Sequence, residues 1–352
     1  MLTSAKTLRC LLAVLSACVL FACGGDSGDP SEGALPSPTP QSSEAVWSGA
    51  AGSDAVTAGV FGGAVANVTS DAQVGPTTLP GTEADWAIVE DRARWAVEQG
   101  YSGLSIGDLI VRIGETFVGT PYAPHTLEAP GEERLVIELE ELDCVTFVEN
   151  VLALARFVQA VPDELLVART GDLQRPLFAW ALEDIRYRGG ELGQYPSRLH
   201  YFSEWISDKD GMGLVRDVSQ ALGGVADAEP IDFMTTHADA YRQLGEDPDF
   251  LSELRAVEER LSSEPRYYIP EDRIAGVERG IQDGDIIAAT STVQGLDIAH
   301  TGIALWMDGR LHLLHAPLAG GVVQISEVPL AERIQRIRGQ DGVMVARPTE
   351  VR

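Results

Sequence analysis

The chain has 352 residues, with 53 acidic against 26 basic side chains and a net charge of −27. That balance offers no basic footprint, so no nucleic-acid partner is expected. Past the N-terminal segment no second run of 18 or more apolar residues follows, so the remainder does not read as membrane-spanning.

Lys6 and Arg9 precede an apolar stretch from Leu11 to Phe21, the pattern of an export signal and shorter than a bilayer span. Leu20-Phe21-Ala22-Cys23-Gly24 resembles a bacterial lipoprotein processing box, with Cys23 as the lipidated new N-terminus. On this reading residues 1–23 are a lipoprotein-type signal peptide ending at the lipidated Cys. Gly24 is not the Asp that resembles an inner-membrane retention signal. The expected location is therefore the cell envelope, lipid-anchored, with the outer membrane and periplasm favoured. An ordinary cleaved signal or an uncleaved anchor is the alternative. Residues 24–82 are rich in Gly, Ser, Ala, Pro and Thr, with Pro36-Ser37-Pro38-Thr39-Pro40 as a semi-extended spacer, and read as a flexible tether.

Periodic structure begins near Glu83 and defines a third region, residues 83–352. Trp86, Val89, Ala93 and Ala96 predict an amphipathic helix. Ile106, Leu109, Ile110, Ile113 and Phe117 predict a second, with Ser105 and Asp108 at its start. Arg134 to Leu139 is a strand candidate. A helix from Cys144 to about Ala160 carries Val148, Val151, Leu152, Ala155 and Val158 on one stripe. Further helices are expected near 176–187, 198–206, 236–262 and 271–279. Strands are expected at 285–289, 301–306, 310–315, 322–326 and 342–346. The fold class is therefore α+β, helices first and an antiparallel sheet last.

Of four cysteines, Cys10, Cys18 and Cys23 lie in the export signal, so Cys144 is the thiol of the folded region. It opens a helix behind Asp143, where backbone N–H groups and the macrodipole favour thiolate. The carboxylate of Asp143 opposes that effect slightly. Helix position alone slightly favours a buried structural cysteine.

Histidine placement shifts the balance. His300, His312 and His315 lie on one predicted hairpin around Asp308-Gly309. A two-residue turn pairs Met307 with Arg310 and Trp306 with Leu311. His315 then becomes the diagonal neighbour of His300 on one face, about 7–8 Å away. His312 pairs with Leu305 on the other face and reads as a structural histidine.

These residues carry a resemblance. Gly119-Thr120-Pro121-Tyr122, Asp143-Cys144, Gly284-Asp285, His300-Thr301-Gly302-Ile303-Ala304-Leu305 and Leu314-His315-Ala316 follow the order of NlpC-like, papain-related cell-wall hydrolases. Thr126-Leu127-Glu128, Leu142 to Asn150, Ile185-Arg186-Tyr187-Arg188 and Ser197 to Ser203 are similar to the N-acetylmuramoyl-L-alanine amidase-like branch. The resemblance implies a papain-like fold, with the nucleophile helix of a helical N-terminal part packed on a C-terminal antiparallel sheet. It implies Cys144 as nucleophile, His300 as base, His315 as orienting group and the Tyr122 phenol at the oxyanion or substrate. It also implies a peptidoglycan or muropeptide substrate and no metal or organic cofactor. The chain departs from the wider pattern at Val145-Thr146 after the cysteine and at Ala123-Pro124-His125 after the tyrosine.

Arg198 suits bidentate binding of a substrate carboxylate or, equally, a structural ion pair. The string Gly103-Leu104-Ser105-Ile106-Gly107 matches a serine-hydrolase motif but lacks the preceding strand, so Ser105 reads as a helix cap. A zinc site from His300, His315 and Cys144 has suitable ligand types but no supporting string. The function this sequence supports is a cell-envelope cysteine amidase. The alternatives are a D-glutamyl-diamino acid endopeptidase using the same residues, or a non-catalytic wall-binding lipoprotein.

Overall fold

The computed structural model describes residues 79–168 and 171–351. The signal, Cys23 and nearly all of the tether lie outside the described residues. Among those described, no helix is long and apolar enough to cross a membrane.

The helical half opens with α1 (Glu83–Glu98), which buries Trp86, Val89, Ala93 and Ala96. Thr82 caps it in a reciprocal box with Asp85. Helix α2 (Ile106–Glu115) starts at Ser105, whose hydroxyl accepts from the Asp108 amide at 3.2 Å, so Ser105 is a cap. Helix α3 (Cys144–Ala160) is buried along most of its length and ends before Pro162. Helices α4 (Gly171–Arg186) and α5 (Phe202–Gly211) follow. The stretch expected as one helix over 236–262 is broken. Short turns precede α6 (Pro248–Ser263), where Asp247 caps the helix and Pro248 occupies its first turn, a position that needs no N–H.

The sheet has eight strands: β1 (Val215–Asp217), β2 (Val225–Asp227), β3 (Arg266–Pro270), β4 (Ile286–Ser291), β5 (Ile298–Met307), β6 (Arg310–His315), β7 (Gln324–Ile325) and β8 (Gln340–Pro348). Its order is β2-β3-β8-β4-β5-β6-β7, with β1 also on β8, and every pairing is antiparallel. Strands β1 to β3 come from the half read as helical, so the sheet is wider than the sequence pattern indicates. They are only three to five residues long, too short to show alternation.

Alternation sorts the central strands into two cores. Ile286, Ala288, Ile303, Leu305 and Leu314 join the large cluster built by α1 to α5. Ile287, Ala289, Ala304, Leu311 and Leu313 face the other way, against Leu330, Ala331 and Ile334 of α7 (Leu330–Arg336).

Residues 134–139 are the main correction. Leu135, Ile137 and Leu139 are buried in alternation, as a strand pattern predicts, yet the segment joins no ladder. Side chains satisfy its backbone instead. Asp85 accepts from the Leu139 amide at 2.8 Å, Tyr187 donates to the Arg134 carbonyl at 3.0 Å, and Arg186 donates to the Val136 carbonyl. Asn150 donates to the Glu138 carbonyl at 3.3 Å. Asp85 also holds the Thr82 amide at 2.8 Å. Asp85→Ala is expected to destabilise the protein by about 2–3 kcal/mol, because it removes a cap and orphans a buried amide. The check is a lower denaturant midpoint at unchanged m-value.

Candidate active site

Helix α3 places Cys144 at its first residue, half-buried. Asp143 accepts from the Val145 amide at 3.0 Å and the Thr146 amide at 2.8 Å, and the Asp143 amide donates to the Thr146 hydroxyl at 2.9 Å. The box fixes the entry of the chain onto Cys144. It also occupies the Val145 and Thr146 amides, so these two first-turn donors are committed.

Strand β5 approaches this turn. The Thr301 hydroxyl donates to the Cys144 carbonyl at 2.7 Å. The residue before Thr301 is His300. Ala289 pairs with His300 and Thr290 with Ile298, so Ala299 is the extra residue of a bulge immediately before the histidine. A bulge bends and twists a strand and re-aims the side chains beside it.

The hairpin has the expected register. Met307 pairs with Arg310, Trp306 with Leu311 and Leu305 with His312. Asp308 and Gly309 both have positive φ, 52° and 76°, as a type I′ turn requires. The diagonal pair meets directly: His300 Nε2 lies 2.7 Å from His315 Nδ1, both rings are buried, and their planes cross at 82°. His312 points elsewhere and bonds the Ser326 carbonyl through Nδ1 at 2.8 Å. Gly302 makes room for this pair. A Cβ there would stand 2.9 Å from the Cβ of His315 and 2.8 Å from Leu313 Cδ1.

Tyr122 reaches the site through backbone bridges. Its amide donates to the Gly321 carbonyl at 2.8 Å, and it bridges Leu142, two residues before Cys144. Arg198 is buried and carries internal carboxylates: Glu128 at 2.6 Å and Glu133 at 3.4 Å, with the guanidinium 5.1 Å from the Tyr195 ring centre. Of the two readings open for Arg198, the ion pair is the one formed here.

Burial is the first cause holding His300 well below the usual imidazole range, and the Arg333 cation is the second. For His315 the causes are burial, then His300, then Arg333. His200 is lowered too, by burial and then by Arg198, and its Nε2 donates to the Tyr195 carbonyl at 2.9 Å. A histidine kept neutral in the fold takes up a proton on unfolding below its ordinary value of about 6.5, so its contribution to stability falls as pH drops below that value. Between pH 6 and pH 5 the native protein is expected to lose about 1 kcal/mol more than the His200→Gln variant. Parallel stability profiles from denaturant titration would contradict that.

Sequence reading missed Thr301 as a tie to Cys144, and it missed Arg333. Thr301 sat inside a recognised motif without a role. Arg333 lies in a short helix with no motif around it.

A family model described as N-acetylmuramoyl-L-alanine amidase-like matches residues 112–342. The chain belongs to this amidase-like family. A solved N-acetylmuramoyl-L-alanine amidase from Bacteroides uniformis ATCC 8492 is 36% identical, with a TM-score of 0.63, covering 69% of this chain and 99% of that one. A Bacteroides fragilis protein described as a candidate xylanase is also 36% identical, with a TM-score of 0.60, covering 66% of this chain and 98% of that one. A Legionella pneumophila protein at 21% identity and a TM-score of 0.52 shares the fold, covering 76% of this chain and 94% of that one. A search of curated proteins finds no match. Membership in the amidase-like family indicates a hydrolase and a peptidoglycan-type substrate.

Proposed function

We propose that the chain is a cysteine amidase of the cell envelope that hydrolyses the amide joining the muramic acid lactyl group to L-alanine. The observation that carries this reading is the buried His300–His315 hydrogen bond on a strand tied through Thr301 to the first residue of α3, Cys144. A nucleophile, a base and an orienting group in that order are the parts of acyl transfer through a covalent intermediate. The reading also assigns the chain to the papain-related, NlpC-like folds.

In the first step His300 takes the Cys144 proton as sulfur attacks the lactyl carbonyl. The Cys144 amide and the Tyr122 phenol stabilise the oxyanion, and the next two amides serve Asp143. The C–N bond breaks, His300 returns the proton to the L-alanine nitrogen, and a thioester remains on Cys144. Water, activated by His300, then cleaves the thioester, releasing a carboxylic acid and the thiol. His315 holds the His300 ring in orientation throughout. Export and a lipid anchor at Cys23 would place this chemistry at the wall.

Incubation with muropeptides, followed by product masses, tests the proposal. The native protein should release an intact stem peptide, and Cys144→Ala should release none. Undiminished release by Cys144→Ala would overturn the mechanism. A shortened peptide would point to the D-glutamyl-diamino acid bond and an endopeptidase. A thiol inert to iodoacetamide near neutral pH, with no product, would favour a non-catalytic wall-binding protein.

A further inference from the structure

We propose that Arg333 is a positioning residue that fixes the proton arrangement of the histidine pair and leaves Nδ1 of His300 as the basic lone pair. Helix α7 packs Leu330, Ala331 and Ile334 onto the sheet and brings Arg333 to the hairpin. Its Nη2 lies 3.5 Å from His315 Nδ1, the same atom that meets His300 Nε2 at 2.7 Å.

A guanidinium only donates. His315 Nδ1, faced by it, therefore acts as acceptor and carries no proton. The short contact between the two rings then needs its proton from His300. Neutral His300 holds that proton on Nε2, and its other nitrogen, Nδ1, is unprotonated. The sequence of donors is thus Arg333 to His315 and His300 to His315, both ending on one lone pair.

The charge acts in the same sense. A cation beside two buried imidazoles disfavours adding a proton to either, which keeps the base in its reactive form. Other charges and titratable groups nearby do not substitute for it. Glu332 on the same helix engages Arg310 at 3.6 Å and Arg336 at 3.4 Å. His312 from β6 lies on the opposite face and bonds Ser326, and Cys144 from α3 is the proton donor in the reaction. The catalytic consequence rests on the cysteine amidase reading, while the protonation pattern stands apart from it.

Nitrogen-15 NMR of the histidine rings in the whole protein reads the pattern without substrate. The native protein should show His300 protonated on Nε2 and His315 unprotonated on Nδ1. Arg333→Met should shift these ring nitrogens toward mixed protonation. It should also move the acidic limb of kcat/KM up by about one pH unit, since losing the cation lets His300 protonate earlier. Arg333→Lys, which keeps a charged donor, should restore most of that shift. His300 protonated on Nδ1 in the native protein would overturn the proposal, as would an Arg333→Met limb that does not move. A rise in KM alone would also overturn it, making Arg333 a substrate contact. If the NMR pattern holds while Cys144→Ala remains active, the amidase mechanism fails and the proton lock survives.

Discussion

His300→Ala is expected to lower kcat/KM by about 10³-fold or more, and Cys144→Ala by about 10⁴-fold or more. In the proposed mechanism the histidine performs two proton transfers, one at the thiol and one at the departing amine. Its partner His315 meets it at 2.7 Å and, in the proposed mechanism, only orients it, so His315→Ala should cost about 10- to 100-fold. His312→Gln should stay near the native rate, since that ring bonds the Ser326 carbonyl on the other face. The double variant of Cys144 and His300 should be no worse than Cys144→Ala, because residues acting as a unit are not additive. Steady-state kinetics on one muropeptide checks the whole series. Additive losses in the double variant would break the link between thiol and imidazole.

Glu149→Ala is expected to destabilise the fold by about 3–5 kcal/mol. Glu149 Oε2 and Arg186 Nε are 2.7 Å apart, with both side chains 1% exposed. Burial is the first cause raising the Glu149 carboxyl above its usual range, and the field of Arg186 opposes it. Removing the carboxylate leaves a guanidinium in the core without its counter-charge. Arg186 also donates to the Val136 carbonyl, so the pair clamps the extended 134–139 segment onto α3. Glu149→Leu with Arg186→Met should recover most of the loss, because a buried ion pair replaced by apolar volume is often near neutral. Chemical denaturation gives both values. A single variant within about 0.5 kcal/mol of native would contradict the clamp.

The sequence carried those features that are written in local period and local chemistry. The buried stripe of α1, the Ser105 cap and the Cys144 start of α3 follow from side-chain spacing and capping residues. The hairpin register follows from Asp308-Gly309, because a two-residue turn sets the parity of every residue beyond it. The meeting of His300 and His315 is therefore legible in the sequence alone.

What was not legible depends on partners distant in sequence. Residues 134–139 show the right alternation, yet alternation reports a buried face and says nothing of who pairs with the backbone. Here Asp85, Arg186 and Tyr187 take that place from 50 or more residues away. The same holds for Arg198, whose carboxylates Glu128 and Glu133 come from a distant loop. Arg333 gave no signal because a single arginine in a seven-residue helix is ordinary until the fold sets it beside His315. The short strands β1 to β3 were missed for lack of length, and they widen the sheet without altering the site.

Acid quenching during turnover, followed by mapping of the acyl group on the Cys144 peptide by mass, addresses the central claim most directly. The expected result is an adduct on Cys144 with the mass of the N-acetylmuramoyl group and no amino acid attached. An adduct that also carries L-alanine and D-glutamate would move the reaction to the endopeptidase bond. Turnover with no acyl group on Cys144, persisting in Cys144→Ala, would contradict the account.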